Sequence, residues 1–493
     1  MKEERIAELE ELAKKNGLDF FPVVFEVVSA NTMNNVCAYG LPTRARHWSY
    51  GRSYDHQRIF GEMGFSKVYE MITNNDPSYA FVLDSNTEAQ NLLIVAHCFG
   101  HSDFFKNNVM FMGSDRNMAR HAAEHANRID QYIETYGLDA VERIMDIGFG
   151  IDDHIDVHKG LYRQKYPKRH IKEHLVKLGE FDDLLDPNKA KRPSRVREVV
   201  NATLPPHPEK DLLWFFINYA PLEDWERDVL DIIREESFYF YPQRMTKIMN
   251  EGWAVYWHAE LLHQYKGITP EEMVDFARTH ERVVQPGNPL DINPYYLGYR
   301  IYKDIEQRWD KKHAEGESSI TGRQKMFEVR HSEDDISFLR NYLTIELADE
   351  LKLFTFGHEN ERKLKNEDDC DILYEIKSRM RDEIVEALVR PRYNNWAPKI
   401  LITDASSEKI CLRHDSEELG ILSFKYAEHV LEYIWELWAA PVELCAKDDD
   451  GEDVVLLFDE AGFSQRKAEE EFGLEDDDEE EEETQSFTFF NTP

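Results

Sequence analysis

Apolar residues recur along most of this chain at the three- and four-residue spacing of an amphipathic helix rather than the alternation of a strand. In residues 3–16, Ile6, Leu9, Leu12 and Ala13 form one stripe that ends at Gly17, which predicts a first helix. The same spacing predicts a helix over 87–105, introduced by Asp84, Ser85 and Asn86 as capping residues, and another over 115–136, closed by Gly137. Residues 163–200 turn basic and polar and read as a connector. Helical spacing resumes with DLLWFFINYAPLEDWERDVLDIIREESFYF, breaks near Pro242, and continues through QRMTKIMNEGWAVYWHAELLHQY. Further helices are expected over 270–281, 294–313 and 334–352.

The pattern changes near residue 390. Pro391 and Pro398 bracket a turn, KILITDA and KICLRHDS read as strands, and FKYAEHVLEYIWELWA reads as a helix. PVELCAKDDDGEDVVLLFD follows as a hairpin around Asp450 and Gly451. The expected fold is therefore mainly α: a large helical domain over 1–390 that contains the 163–200 connector, then a small α+β domain over 399–463. Residues 466–493 are expected to form a disordered acidic tail, because their composition cannot bury enough apolar surface to fold.

Charge narrows the function classes. The formal net charge is -37, and the acidic run 475–483 supplies nine of it, leaving -28 (37 minus 9) on the rest. A surface that acidic does not displace the counterions of a nucleic acid and does not dock on anionic lipid. Five cysteines, Cys37, Cys98, Cys370, Cys411 and Cys445, are too scattered for a disulfide framework or a C-x-x-C motif. The N-terminal helix has no apolar signal core, and no stretch approaches a membrane span, so a cytoplasmic location is expected.

Candidate chemistry centres on AHCFGHSDFFKNN, where His97 and His101 stand one helical turn apart. Residues at i and i+4 have Cβ atoms roughly 6 Å apart, so two imidazoles can converge on one ion. The preceding NLLIVA is apolar on all sides, so the pair emerges from a buried helix and needs either a metal or hydrogen-bond partners. His121/His125 repeats the spacing on what reads as a solvated face, and His154/His158 on a polar helix end beside Asp152, Asp153 and Asp156. In NEGWAVYWH, Glu251 and His258 share a helix face about 10 Å apart. Either can complete a site with His97 and His101 while the other supports it from behind. Glu235 and Glu236 lie upstream, where the inward-facing one can pair with Arg244 or Lys247 or act as an acid/base. In GLPTRARHWSYGRSY, Arg44, Arg46, His47 and Arg52 form a loop that either binds an anionic or sugar-like ligand or caps the bundle.

These blocks together resemble a known family. HWSYGRSY, NNDPSYAFVLDSNTEAQN, AHCFGHSDFFKNN, the long stretch from DLLWFFINYAPLEDWERDVL to NEGWAVYWH, NPYYLGYRIYKDIEQRW and FLRNYLTIELADELKLF match, in order, the stage V sporulation protein R (SpoVR) family over about residues 10–463. The resemblance implies a cytoplasmic protein of spore-cortex formation or of stationary-phase and stress physiology. It also implies partnership with a PrkA-type serine kinase and a YhbH-type protein, and it brings no established reaction. A second, local similarity is to the helical zinc peptidases of the gluzincin kind, which implies a zincin-like helical core. It implies metal ligation by His97, His101 and Glu251, with Cys98 standing where those enzymes carry a catalytic glutamate. Asp103, Glu235 or Glu236 would then have to supply the missing carboxylate, with His258 assisting. The expected cofactor is a divalent metal, zinc first, with iron or manganese also suited to such a ligand set. Two functions follow: a metal-dependent hydrolase of a peptide or amide bond, or a non-catalytic scaffold working through its C-terminal part and its partners.

Overall fold

A computed structural model describes residues 2–62, 70–161, 166, 174–175, 195–196, 204–287, 290–358, 374–416, 422–448 and 451–468. In chain order the first elements are α1 (Glu3–Lys15), β1 (Val23–Val28), α2 (Ala30–Tyr39), α3 (Trp48–Glu62), β2 (Glu70–Ile72), β3 (Ser78–Leu83), α4 (Glu88–Asn107), α5 (Met118–Tyr136) and α6 (Leu138–Gly150). After the short pair β4 (His174–Leu175) and β5 (Arg195–Val196) come α7 (Leu212–Tyr219), α8 (Asp224–Met245), α9 (Lys247–Gln264), α10 (Pro270–Val283), α11 (Pro294–Ala314), α12 (Gly322–Ser332), α13 (Asp335–Tyr342) and α14 (Ile345–Glu350). Then follow β6 (Thr355–His358), β7 (Tyr374–Ser378), α15 (Arg381–Val389), β8 (Ile400–Ala405), β9 (Ile410–His414), α16 (Phe424–Trp438), β10 (Val442–Lys447), β11 (Asp453–Asp459) and β12 (Gly462–Lys467).

The chain forms two compact units, each assembled from separate stretches. One joins Met1–Gln131 to Tyr239–Arg392, and the other joins Tyr132–Phe238 to the described residues from Tyr393 to Ala468. In the first unit α9 is buried almost throughout, from Ile248 to Leu262. It can be so because α4 and α11 approach it through small residues. A Cβ on Gly100 of α4 would sit 2.8 Å from the Ala254 Cα, and one on Gly252 would sit 2.3 Å from the Gly298 carbonyl carbon of α11. Such close backbones leave no water at the crossing and fix the rotation of each helix about its axis.

The other side of α4 is covered by a three-stranded sheet of order β1-β3-β2, with β1 parallel and β2 antiparallel to β3. Ile94 and Cys98 pack there against Ala80 and Val82. A helix covered on both sides reads as apolar all round, which is why the run into AHCFGH shows no amphipathic stripe.

Several boundaries differ from the sequence expectation for identifiable reasons. Thr87, not Asp84, Ser85 or Asn86, caps α4: its hydroxyl accepts from the Gln90 N–H while the Gln90 side chain accepts from the Thr87 N–H. Pro242 stays inside α8, and the break comes at Thr246, whose hydroxyl donates to the Pro242 carbonyl at 2.7 Å. The new helix α9 starts on the buried Asp335 carboxylate, which accepts from the Ile248 and Met249 N–H groups at 2.9 Å each. Within the 211–240 stretch α7 ends where Ala220, ahead of Pro221, is held extended.

In the second unit a five-stranded sheet runs in the order β12-β11-β10-β9-β8. β9 and β10 are parallel and joined through α16, and the other neighbours are antiparallel. The hairpin at Gly451 forms as expected, and β12 carries the sheet to Lys467. Apart from Tyr166, β4 and β5, the 163–200 connector lies outside the described residues, as does the tail beyond Ala468. No described helix is long and apolar enough to cross a membrane.

Candidate metal centre

His97 and His101 lie on the α4 face turned toward α9, and Glu251 answers them from α9. Their ligand atoms all fall within 4.8 Å of one another, and among the described residues this is the group of histidines and carboxylates that can hold a metal ion. All three side chains are buried. The two Nε2 atoms are 3.0 Å apart, and Glu251 Oε2 stands 3.4 Å from that of His101 and 3.6 Å from that of His97. Tetrahedral ligands bound at 2.0–2.1 Å have their donor atoms about 3.3 Å apart, so the three separations bracket what one ion requires.

The outer nitrogen of each histidine has a partner of its own, and the two Nε2 atoms face each other and Glu251. His101 Nδ1 donates to the Asn250 side-chain oxygen at 2.9 Å, an oxygen that can only accept. His97 Nδ1 faces His258 Nδ1 at 3.0 Å, and His258 Nε2 faces His280 Nδ1 at 2.8 Å. With the proton of His97 on Nδ1, His258 accepts it and donates onward to His280. Partners of this kind orient a ligating imidazole and raise its basicity. One stretch, NEGWAVYWH, thus supplies Glu251 and the outer partner of each histidine (Asn250 and His258).

Glu251 is divided between two tasks. Its Oε1 accepts from Lys247 at 2.6 Å, while its buried Oε2 accepts no hydrogen bond. Burial alone would push this carboxyl up, but Lys247 and then His101 outweigh it and hold Glu251 well below the usual carboxylate range. For His101, burial works against the charged form and Glu251 overcomes it, so its pKa is raised. His258 is pushed well below the ordinary histidine value by burial and by the neighbouring His97.

His280, half-buried on α10, is lowered from 6.5 to about 4, first by burial and then by His263. A histidine whose folded pKa is depressed binds fewer protons folded than unfolded, so the metal-free protein should lose stability as pH falls from 6.5 towards about 4. Denaturation midpoints of chelator-treated protein across that window check this, with His280→Gln expected to flatten the slope.

A cavity of about 400 Å³ opens beside the group, lined by Glu70, Leu93, Ile94, His97, His258 and Tyr295 among others. The Tyr295 ring stacks on His97 with centroids 6.2 Å apart. Glu70, on β2, brings its Oε1 to 3.8 Å from His97 Nε2. No motif in the sequence marked Glu70, because it reaches the site through the register of a sheet.

The remaining sequence candidates stand outside the group of three. Asp103 is fully buried, and its carboxylate accepts from the Asp19 N–H and from Trp253 Nε1 and pairs with Arg330. None of these belongs to the triad. Glu235 is exposed and Glu236 is buried. Lys247 pairs with Glu251. Arg44 donates to the Tyr39 carbonyl and lies over the Tyr50 and Phe240 rings, and His47 Nδ1 bonds the Ser49 hydroxyl at 2.7 Å. Those contacts hold the loop together, while Arg46 and Arg52 are exposed. Among the remaining histidine pairs, His121 bonds Asp115 and His154 bonds the Pro398 carbonyl. Cys98 is buried under β3, and burial raises its thiol well above the ordinary value.

Fold and site together define a mainly helical protein with a buried His-His-Glu group able to hold a metal ion. The chain belongs to the SpoVR like protein family, whose profile matches residues 2–389. It is 28% identical over 485 residues to "Uncharacterized protein YcgB" of Escherichia coli (strain K12), a match that covers 90% of this chain and 92% of that one. No solved structure matches.

Proposed function

We propose that the chain is a metal-dependent hydrolase of a peptide or amide bond, with a divalent ion, zinc first, held by His97, His101 and Glu251. The observation that carries this reading is Glu251 Oε2, a buried carboxylate oxygen that accepts no hydrogen bond and faces two imidazole Nε2 atoms. Lys247 compensates the Oε1 end of this carboxylate, and a cation at Oε2 would satisfy the other end together with the two imidazoles. When bound, the ion would supply Lewis acidity toward a carbonyl. The protein's part is to fix the ligands through Asn250, His258 and Lys247 and to admit a ligand along the cavity wall of Leu93 and Ile94. The described lining of that cavity contains no lysine or arginine, which favours a neutral, hydrogen-bonding ligand over a polyanion. Cys98 takes no part, since its buried thiol is held in the protonated form. Membership of the family supports a setting in sporulation or stress physiology.

The test is hydrolysis of a panel of peptides and simple amides by the full chain, before and after chelation and after zinc is restored. Activity that disappears with the metal, returns with it, and is missing in the His97→Ala/His101→Ala variant is expected. Hydrolysis that survives both chelation and that double substitution would contradict the proposal.

A further inference from the structure

We infer that the cavity beside the triad takes the amino-terminal residue of a peptide, with its free amine on Glu70 and its side chain on the apolar wall. This rests on the hydrolase reading and names the substrate class of that same site. The cavity, about 400 Å³, lies at the small end of the ~300–1,000 Å³ usual for ligand pockets, which suits a terminal residue. Among its described lining residues Glu70 is the one carboxylate, and no lysine or arginine there pairs with it. Glu70 stands outside the group of three that can hold the ion. Its Oε1 is 3.8 Å from His97 Nε2, it accepts no hydrogen bond among the described residues, and Lys247 is engaged by Glu251.

Most other polar groups of the lining are already spent. The Asn293 oxygen accepts from the Tyr295 and Tyr296 N–H groups, and its amide nitrogen donates to the Val283 and Gln285 carbonyls. The Gln90 oxygen accepts from the Thr87 N–H at the start of α4, and His258 stands between His97 and His280. Glu70 is left as the strongest acceptor open to the cavity, and an ionised carboxylate can only accept. The group set against it must therefore be a donor, which an amine is and a carbonyl or carboxylate is not. Closeness to His97 selects which amine. In an amino-terminal residue the amine and the carbonyl are joined through one carbon, two bonds of about 1.5 Å each. A carbonyl brought to the His97 side of the triad thus carries its own amine to Glu70, whereas a lysine side chain holds its amine on a four-carbon stem. Leu93, Ile94 and Val283 give the terminal side chain an apolar wall.

The test loads full-length wild type and Glu70→Gln with zinc and checks both for native helicity by circular dichroism and for zinc content. Each is then titrated by calorimetry with leucine hydroxamate and with N-acetyl-leucine hydroxamate. Wild type is expected to bind the free-amine probe about tenfold or more tightly than the acetylated one, the worth of one charge-assisted hydrogen bond. Glu70→Gln should keep its zinc and bind the two probes alike. Zinc-loaded wild type that binds both probes equally, or neither, overturns the inference and leaves the metal site standing, as does a Glu70→Gln protein that keeps the preference. The wild-type comparison decides the matter even where Glu70→Gln fails to fold. Wild type that takes up no zinc overturns the hydrolase reading, and this inference with it.

Discussion

Gly252→Ala is expected to destabilise the protein by about 3 kcal/mol or more, at the upper end of what overpacking a core costs. The added Cβ would lie 2.3 Å from the Gly298 carbonyl carbon, 2.5 Å from its Cα and 2.7 Å from the Tyr299 nitrogen. All three are backbone atoms, so no side chain can rotate away and α9 must part from α11. The reciprocal Gly298→Ala meets the Ile248 carbonyl oxygen at 2.0 Å and should be equally severe. Gly252 follows Glu251 directly, so any shift of α9 also displaces a ligand, and zinc affinity should fall along with the melting temperature. Calorimetry and zinc titration of both variants check this. Wild-type melting in either would show that the helices do not cross as closely as described.

The second large effect is on metal-dependent stability. A ligand that binds only the folded state at a hundred times its Kd stabilises by about 2.7 kcal/mol. Zinc added to the stripped wild type should therefore raise its melting temperature by several degrees, whereas the His97→Ala/His101→Ala variant should show no response. The variant loses both Nε2 donors, and His258 loses the imidazole it faces at 3.0 Å. Equal zinc-induced shifts in the two proteins would place the ion elsewhere.

Much of this centre was legible in the sequence because helix geometry converts spacing into position. His97 and His101 at i and i+4, and Glu251 and His258 at i and i+7, were bound to share faces once both segments were helical. The apolar run ahead of His97 indicated burial, and its lack of an amphipathic stripe is explained by α9 on one side and β3 on the other. Glu70 was not legible, because its place depends on the pairing Glu70↔Val82 and on Val82 packing against Cys98, neither of which leaves a local pattern. VVFEVV and SYAFVL, which form β1 and β3, are short apolar runs of the kind that periodicity does not separate from buried helix. Asn250 sits next to Glu251 in the same quoted stretch, yet its role needed the facing helix to be placed first. The cap of α4 was misplaced by a few residues because Asp84, Ser85 and Asn86 are all capping types; the Thr87–Gln90 box decided it.

Elemental analysis of full-length protein purified without added metal tests most directly whether His97, His101 and Glu251 hold one divalent ion. About one equivalent of a transition metal per chain is expected in the wild type, and near-zero occupancy in His97→Ala/His101→Ala. A metal-free wild type that also fails to take up zinc, or unchanged occupancy in the double variant, would contradict this assignment.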